Sequence, residues 1–267
     1  MVTQVIVIGA LGKMGREIVG CALADNDVRL TGCVENPRHA AIGKDIGACI
    51  GREPVNVTVE GDFEHLPVAG SVVIDFSSPQ TTESLIDTLS GKKTALVVGT
   101  TGIDGAGQSK IKLFSETRPV VFSPNMSLGV NILFYLTEVL SSKLSDTFDI
   151  EIIEAHHRFK KDSPSGTAKK LGEIAASALG LSYDRAVKNG RAGMVGERTK
   201  KEIGMHAVRG GDIVGDHTVL FAGLGERIEL RHMAHSRTPL ARGAILAAKW
   251  LSTQKAGLYS MRDVLGL

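Results

Sequence analysis

Cysteine is scarce and unpatterned: Cys21, Cys33 and Cys49 are the only three in 267 residues, and none stands in CxxC spacing. An odd, scattered set argues against a disulfide framework or a zinc knuckle and fits reduced thiols in a core. No stretch approaches the ~18 consecutive apolar residues of a membrane span. The opening MVTQVIVIGALGKMG has a short apolar run without a basic leader, unlike a signal peptide. A charge excess is missing as well: 31 Lys and Arg face 29 Asp and Glu, a formal net charge of +2, with no basic run interleaved with aromatics. That disfavours nucleic-acid and membrane surfaces, so a small-molecule partner and a cytoplasmic location are expected. Aromatics (4%) and prolines (8) are few, whereas glycines number 31. So much glycine suggests many tight strand-to-helix turns, in one large or two modest domains.

What is present reads as α/β. Up to residue 126, short apolar strands (VIVIG, RLTGCVE, VVIDF, ALVVGTTG, PVVFSPN) alternate with helical periods at about 12–26, 81–89 and 109–116. Continuous apolar strands separated by helices predict a doubly wound, Rossmann-like parallel sheet covered on both faces. Beyond residue 126 the texture changes. A helix over 130–143 leads to DIEIIEAHH, and EIGMHAVRG, HTVLFAG and ERIELRHMAHS are close-set, partly alternating strands. They predict a second α+β domain with an open mixed sheet over 127–239. The last helix, about 240–253, and the tail GLYSMRDVLGL are assigned with residues 1–126 to the first, dinucleotide-binding domain.

GALGKMG follows the first strand and opens a helix. Its glycines, Gly9, Gly12 and Gly15, match the last two positions of GxGxxG while the first sits one residue early. Glycines there let a pyrophosphate approach the backbone, and the first N–H groups of the helix offer it partial positive charge. Glu35 ends the next strand, where an acid can accept from an adenosine ribose. Arg38 and His39 follow at once, so NADH and NADPH both stay open. Three further strand ends carry DFSSP, GTTG (Gly99, Thr100, Thr101, Gly102) and SPNM (Ser123, Pro124, Asn125, Met126). In an open α/β sheet, such loops form the ligand crevice.

The densest chemistry is EAHHRFKKDSPSGTA, residues 154–168. Histidine can deliver a proton near neutrality to an atom gaining charge as hydride arrives next to it. His156 and His157 would point to opposite faces of a strand unless a loop begins at His157. Lys160 and Lys161 suit a carboxylate as point charges. SPSGTA reads as a capped helix start whose N–H groups at Gly166, Thr167 and Ala168 face an anion. The stretch combines an anion pocket with a proton donor. Arg209, Arg231, His217 and His232 read as ion-paired scaffold and stay outside the catalytic set.

EAHHRFKKDSPSGTA, together with GALGKMG, GTTG, SPNMSLGVN, RGGDIVGDHTVLF, GERIEL and GLYSMRDVLGL, resembles the dihydrodipicolinate reductase family of bacterial diaminopimelate and lysine biosynthesis, nearly end to end. The resemblance implies an NAD(P)H-dependent oxidoreductase acting on 4-hydroxy-tetrahydrodipicolinate, typically a homotetramer joined through the second domain's sheet. It implies His156 as acid/base residue with Lys160 as its partner, and His157, Gly166 and Thr167 as ligands of a dicarboxylate. It also implies cofactor contacts from Gly9, Ala10, Leu11, Gly12, Lys13, Met14, Glu35 and the GTTG and SPNM loops. Some relatives place arginine directly after the ribose-binding acid. Here Asn36 stands there and Arg38 lies two residues on, so the choice of cofactor stays open. Two rivals are a catalytically silent dinucleotide sensor and a metal hydrolase using His156, His157 and Asp162. The hydrolase lacks HExxH or a third ligand at helical spacing, and no metal is expected.

Overall fold

The computed structural model describes residues 2–64, 66–144 and 147–267. In chain order its elements are β1 (Thr3–Ile8), α1 (Lys13–Ala24), β2 (Val28–Val34), α2 (Ile46–Cys49), β3 (Val59–Glu60), β4 (Val72–Asp75), α3 (Pro79–Leu89), β5 (Ala95–Val98), α4 (Gly105–Ser115) and β6 (Pro119–Phe122). There follow α5 (Leu128–Leu144), β7 (Asp149–His156), α6 (Gly166–Ala178), α7 (Tyr183–Ala186), β8 (Val187–Asn189), β9 (Ile203–Arg209), β10 (Gly215–Ala222), β11 (Arg227–Ala234), α8 (Thr238–Leu251), β12 (Gly257–Tyr259) and α9 (Met261–Leu265). They fall into two units, Met1–Leu128 with Arg237–Leu267, and Gly129–Ser236.

The first unit carries an all-parallel sheet in the order β12-β6-β5-β4-β1-β2-β3. Successive strand residues enter two different cores, which is why the strands read as unbroken apolar runs. Val5, Val7, Ile74 and Val97 pack with Ile18 and Val19 of α1 and Ala244, Ala248 and Leu251 of α8. Ile6, Ile8, Val73 and Leu96 pack on the other side with Leu85 and Leu89 of α3 and Ile111 of α4. The helices bury one stripe each: Gly15, Ile18, Val19 and Ala22 in α1, and Thr82, Leu85, Ile86 and Leu89 in α3. Ser78 and Asp104 cap α3 and α4 by accepting from Thr81 N and Gly107 N.

The tail, which composition alone did not place, completes this unit. Leu258 of β12 pairs in parallel register with Val120, and α9 starts with a Ser260–Asp263 capping box and buries Met261 in the α8 core. The two- and three-residue strands β3, β8 and β12 lay outside the sequence reading, because so short an edge strand carries no period.

The second unit is a mixed sheet, β11-β10-β7-β9-β8, in which β10 runs antiparallel to β7 and β11 while β7, β9 and β8 are parallel. Here β7 alternates: Ile150, Ile152, Glu154 and His156 are buried, and the intervening residues are more open. Ile150 and Ile152 pack with Ala168, Leu171 and Ala175 of α6. Glu154 and His156 thus extend an apolar stripe with polar groups. On the opposite face Ile153, Val208 and Met233 are 38%, 49% and 46% exposed.

One close approach ties α8 to the sheet edge. A Cβ on Gly243 would overlap the Met126 carbonyl, whereas one on Gly105 would meet nothing within 4 Å. Gly243→Ala should lower stability by about 1–3 kcal/mol through overpacking, and Gly105→Ala should be neutral or stabilising by under ~1 kcal/mol. Urea unfolding of the two variants checks this.

Candidate active site

At the carboxyl ends of the first unit's strands the order reverses about β1, flanked by β4 and β2. A crevice of about 540 Å³ opens there, lined by Gly9, Gly12, Glu35, Phe76 and Ser77 among others. Such a reversal is where α/β sheets take their ligands. The turn into α1 depends on glycine twice. Gly9 has φ +68°, and a Cβ on Gly15 would collide with the Gly9 carbonyl and Ala10. The N–H groups of Ala10, Leu11 and Gly12 are spent on Val34 O, Glu35 Oε2 and Gly9 O. No side chain caps α1 at Gly12, so the amides at its start are the ones open to an anion. The side chains of Ala10, Leu11 and Met126 are buried, which confines any ligand contact by them to backbone.

Glu35 accepts from Leu11 N at 2.9 Å and from Asn36 N at 2.8 Å, one bond per carboxylate oxygen. Each oxygen keeps a lone pair for a hydroxyl. The fully buried Asp75 braces the neighbouring loops: it accepts from Ser77 N and Oγ, Thr82 Oγ1 and Thr100 Oγ1. Burial pushes its carboxyl above the ordinary range, against the pull of those donors. Thr100 is therefore a strut between Asp75 and Ser77. Gly99 has no Cβ because Phe76 lies over it. The GTTG and SPNM loops follow β5 and β6 along the same edge of the sheet.

In the second unit β7 ends at His156, so the loop begins at His157 and frees the two rings from strand geometry. His156 Nδ1 lies 2.6 Å from Glu154 Oε2, and against an ionised carboxylate, which can only accept, the ring nitrogen is the donor. Glu154, fully buried, also accepts from Arg209 at 2.7 and 2.8 Å and from Ser165 N at 3.0 Å. Burial alone would raise Glu154, but those donors together hold it below the usual carboxylate range. Burial lowers His156 against the opposing pull of Glu154, and the charges of Lys160 and Arg209 lower it further. Lys160 pairs with Asp162 at 2.9 Å.

Ser165 caps α6, accepting from Ala168 N at 3.2 Å, and meets His217 Nε2 at 3.0 Å. The rings of His156 and His217 stand edge to face, 5.2 Å apart. Burial, reinforced by His156, pushes His217 down to about 3. His157 Nδ1 is buried and has no hydrogen-bond partner among the described residues. Gly166 is exposed at the start of α6 and Thr167 follows it. His156, His157, Lys160, Gly166 and Thr167 thus gather where β7 ends and α6 begins. Among the described residues no group of three His, Cys, Asp or Glu could hold a metal ion. Sequence reasoning missed Glu154 and Asp75 as buried acceptors. For Glu154 the signal was there: it falls in step with Ile150 and Ile152.

The description "Dihydrodipicolinate reductase, N-terminus" matches residues 3–126, and "Dihydrodipicolinate reductase, C-terminus" matches residues 129–265. The chain belongs to the dihydrodipicolinate reductase family. Within it, the 4-hydroxy-tetrahydrodipicolinate reductase of Syntrophus aciditrophicus (strain SB) is 45% identical over 98% of both chains. That of Thiobacillus denitrificans (strain ATCC 25259 / T1) is 46% identical over 100% of both. A solved structure, the dipicolinate-bound dihydrodipicolinate reductase from Paenisporosarcina sp. TG-14, has a TM-score of 0.76 at 21% identity, covering 98% of this chain and 99% of that one. At that identity the likeness speaks for the reductase fold. The C-terminal family segment runs through α8 and β12, which the structure assigns to the first unit.

His217 gives this reductase a pH dependence with a definite sign. Its folded value, about 3, lies below the ordinary 6.5. Between those limits the unfolded chain binds the extra proton, so stability is full above pH 6.5 and falls with acidification, by up to ~1.4 kcal/mol per pH unit. His217→Gln should flatten that part of the curve, as followed by denaturant midpoints from pH 7 to 4.

Proposed function

We propose that the chain reduces 4-hydroxy-tetrahydrodipicolinate to tetrahydrodipicolinate with a reduced nicotinamide dinucleotide, on the route to diaminopimelate and lysine. The observation that carries this reading is the buried Glu154–His156 pair at the start of an anion-accepting helix. It supplies a proton donor and a carboxylate site side by side, because the Ser165 N–H at the helix start donates to Glu154. The Paenisporosarcina relative described as dipicolinate bound supports a small dicarboxylate as ligand.

The crevice at the β1 reversal, with glycines required at 9 and 15 and an uncapped α1, fits a dinucleotide. When bound, the cofactor supplies hydride. The amides at Lys13 and Met14 receive its pyrophosphate, Glu35 its ribose hydroxyls, and the GTTG and SPNM loops its nicotinamide end. In the second unit Lys160, His157 and the amides of Gly166 and Thr167 hold the carboxylates. His156 delivers a proton at Nε2, with Lys160 as its partner, to the atom that gains the electron pair. Both NADH and NADPH serve. Glu35 disfavours a 2′-phosphate, and the exposed Arg38 offsets that. Four copies assemble through the uncovered sheet face bearing Ile153, Val208 and Met233.

Nicotinamide absorbance, followed with freshly generated substrate, should decay with either cofactor. Constancy with both would leave a nucleotide-binding protein without turnover. His156→Ala should lower kcat by roughly 10²–10⁴-fold while cofactor binding persists, and an unchanged kcat would remove His156 as donor. Arg38→Ala should lower kcat/KM for NADPH and leave that for NADH intact. Equal losses with both cofactors would detach Arg38 from the 2′-phosphate.

A further inference from the structure

The buried face of β7 holds more polar chemistry than a proton donor alone requires. Glu154 and His156 stand two residues apart on it, and Nδ1 is committed to the carboxylate. That carboxylate cannot swing. Arg209 on β9 reaches both of its oxygens, and Ser165 N–H holds Oε1 from the start of α6. Arg209 is fixed in turn by the carbonyls of Asp162 and Val208, each at 2.7 Å. With Nδ1 spent, Nε2 is the ring's working edge, and it has no partner among the described residues. There the neighbouring strand is cut back to glycine: a Cβ on Gly215 would stand 3.0 Å from Nε2.

We propose that Glu154 and Arg209 are a positioning pair acting through His156: Glu154 fixes the tautomer and aim of the ring, while Arg209 holds the carboxylate and balances its charge. The proposal rests on the reading of His156 as proton donor. In the step it serves, the Nε2–H bond breaks, the proton goes to the substrate atom that gained the electron pair, and the neutral ring keeps its Nδ1–H on Glu154. A lone carboxylate would bind the imidazolium and retain its proton, and Arg209 opposes that. Other groups facing the ring are Lys160, paired with Asp162, from the loop after β7, and His217 from β10, with His232 and Asp216 beyond it. None of these substitutes for Glu154, since Lys160 and His217 are bases and Asp162 is engaged by Lys160.

The two members of the pair act on the ring with opposite sign, which a merely structural ion pair would not. The test is ¹⁵N NMR of His156 in the full chain without substrate, together with the pH profile of kcat/KM, for Glu154→Gln and Arg209→Gln. The wild-type ring should be the Nδ1–H tautomer. The alkaline limb should move down by about one pH unit in Glu154→Gln and up by a similar amount in Arg209→Gln. Arg209→Lys should restore the wild-type limb, and if Glu154→Gln fails to fold, the upward shift in Arg209→Gln and the wild-type tautomer decide the matter. Limbs that stay put, or move in the same direction, or an Nε2–H tautomer in the wild type, would overturn the pair. Because the NMR titration needs no turnover, loss of the proposed reaction and loss of this pair are separable results.

Discussion

The second unit is organised by one buried carboxylate. An isolated charge at a fully buried position would cost several kcal/mol and would instead take up a proton. Glu154 stays ionised because three elements converge on it: β7 supplies the His156 ring, β9 supplies Arg209, and the start of α6 supplies the Ser165 N–H. Satisfying that charge therefore sets the register of β9 against β7, the point where α6 begins, and the orientation of the His156 ring. Ser165 passes the constraint onward. Its hydroxyl caps α6 and meets His217, so the helix start and the β10 histidine are placed by the same residue.

The first unit answers the same physical problem differently. Asp75 is as buried as Glu154 but faces hydroxyls and one amide, with no cation among its bonded partners. Neutral donors compensate burial less completely, which is why Asp75 is pushed up where Glu154 is held down. What Asp75 contributes is geometry. It draws the Phe76–Ser78 loop and Thr100 together, and Gly99 lets Phe76 lie across, forming one wall of the crevice.

Much of this was legible in the residues because it follows from period and spacing. The doubly buried strands had to read as apolar runs, the helices showed single stripes, and SPSGTA announced a cap that proved to be Ser165. What escaped depends on contacts between residues far apart in sequence. Arg209 is 55 positions from Glu154, and Ser165 is 52 from His217, distances at which no local pattern carries information. Arg209 read as ion-paired scaffold, and it is ion-paired, but the residue it pairs with could not be named. The short edge strands escaped for a different reason: register with a neighbour, and not their own composition, makes them strands.

Two glutamates three residues apart on β7 show how partners decide role. Glu151, on the more open face, receives Arg191, Arg198 and His206, and these outweigh burial to bring it to about 2. It anchors the segment between β8 and β9, in a cluster where Glu151, Asp149 and Glu202 share Arg191 and Arg198, so that the acids are in excess. Around Glu154 the balance is even: Glu154 and Asp162 match Arg209 and Lys160, and burial disfavours charge on His156 and His217. A dianionic ligand entering so balanced a cluster would leave it negative, and the group best placed to restore neutrality is His156, by taking a proton at Nε2. In the proposed reaction, binding of a dicarboxylate would then favour the protonated His156 ring, so the proposed anion site and proton donor are coupled through charge even where they share no bond.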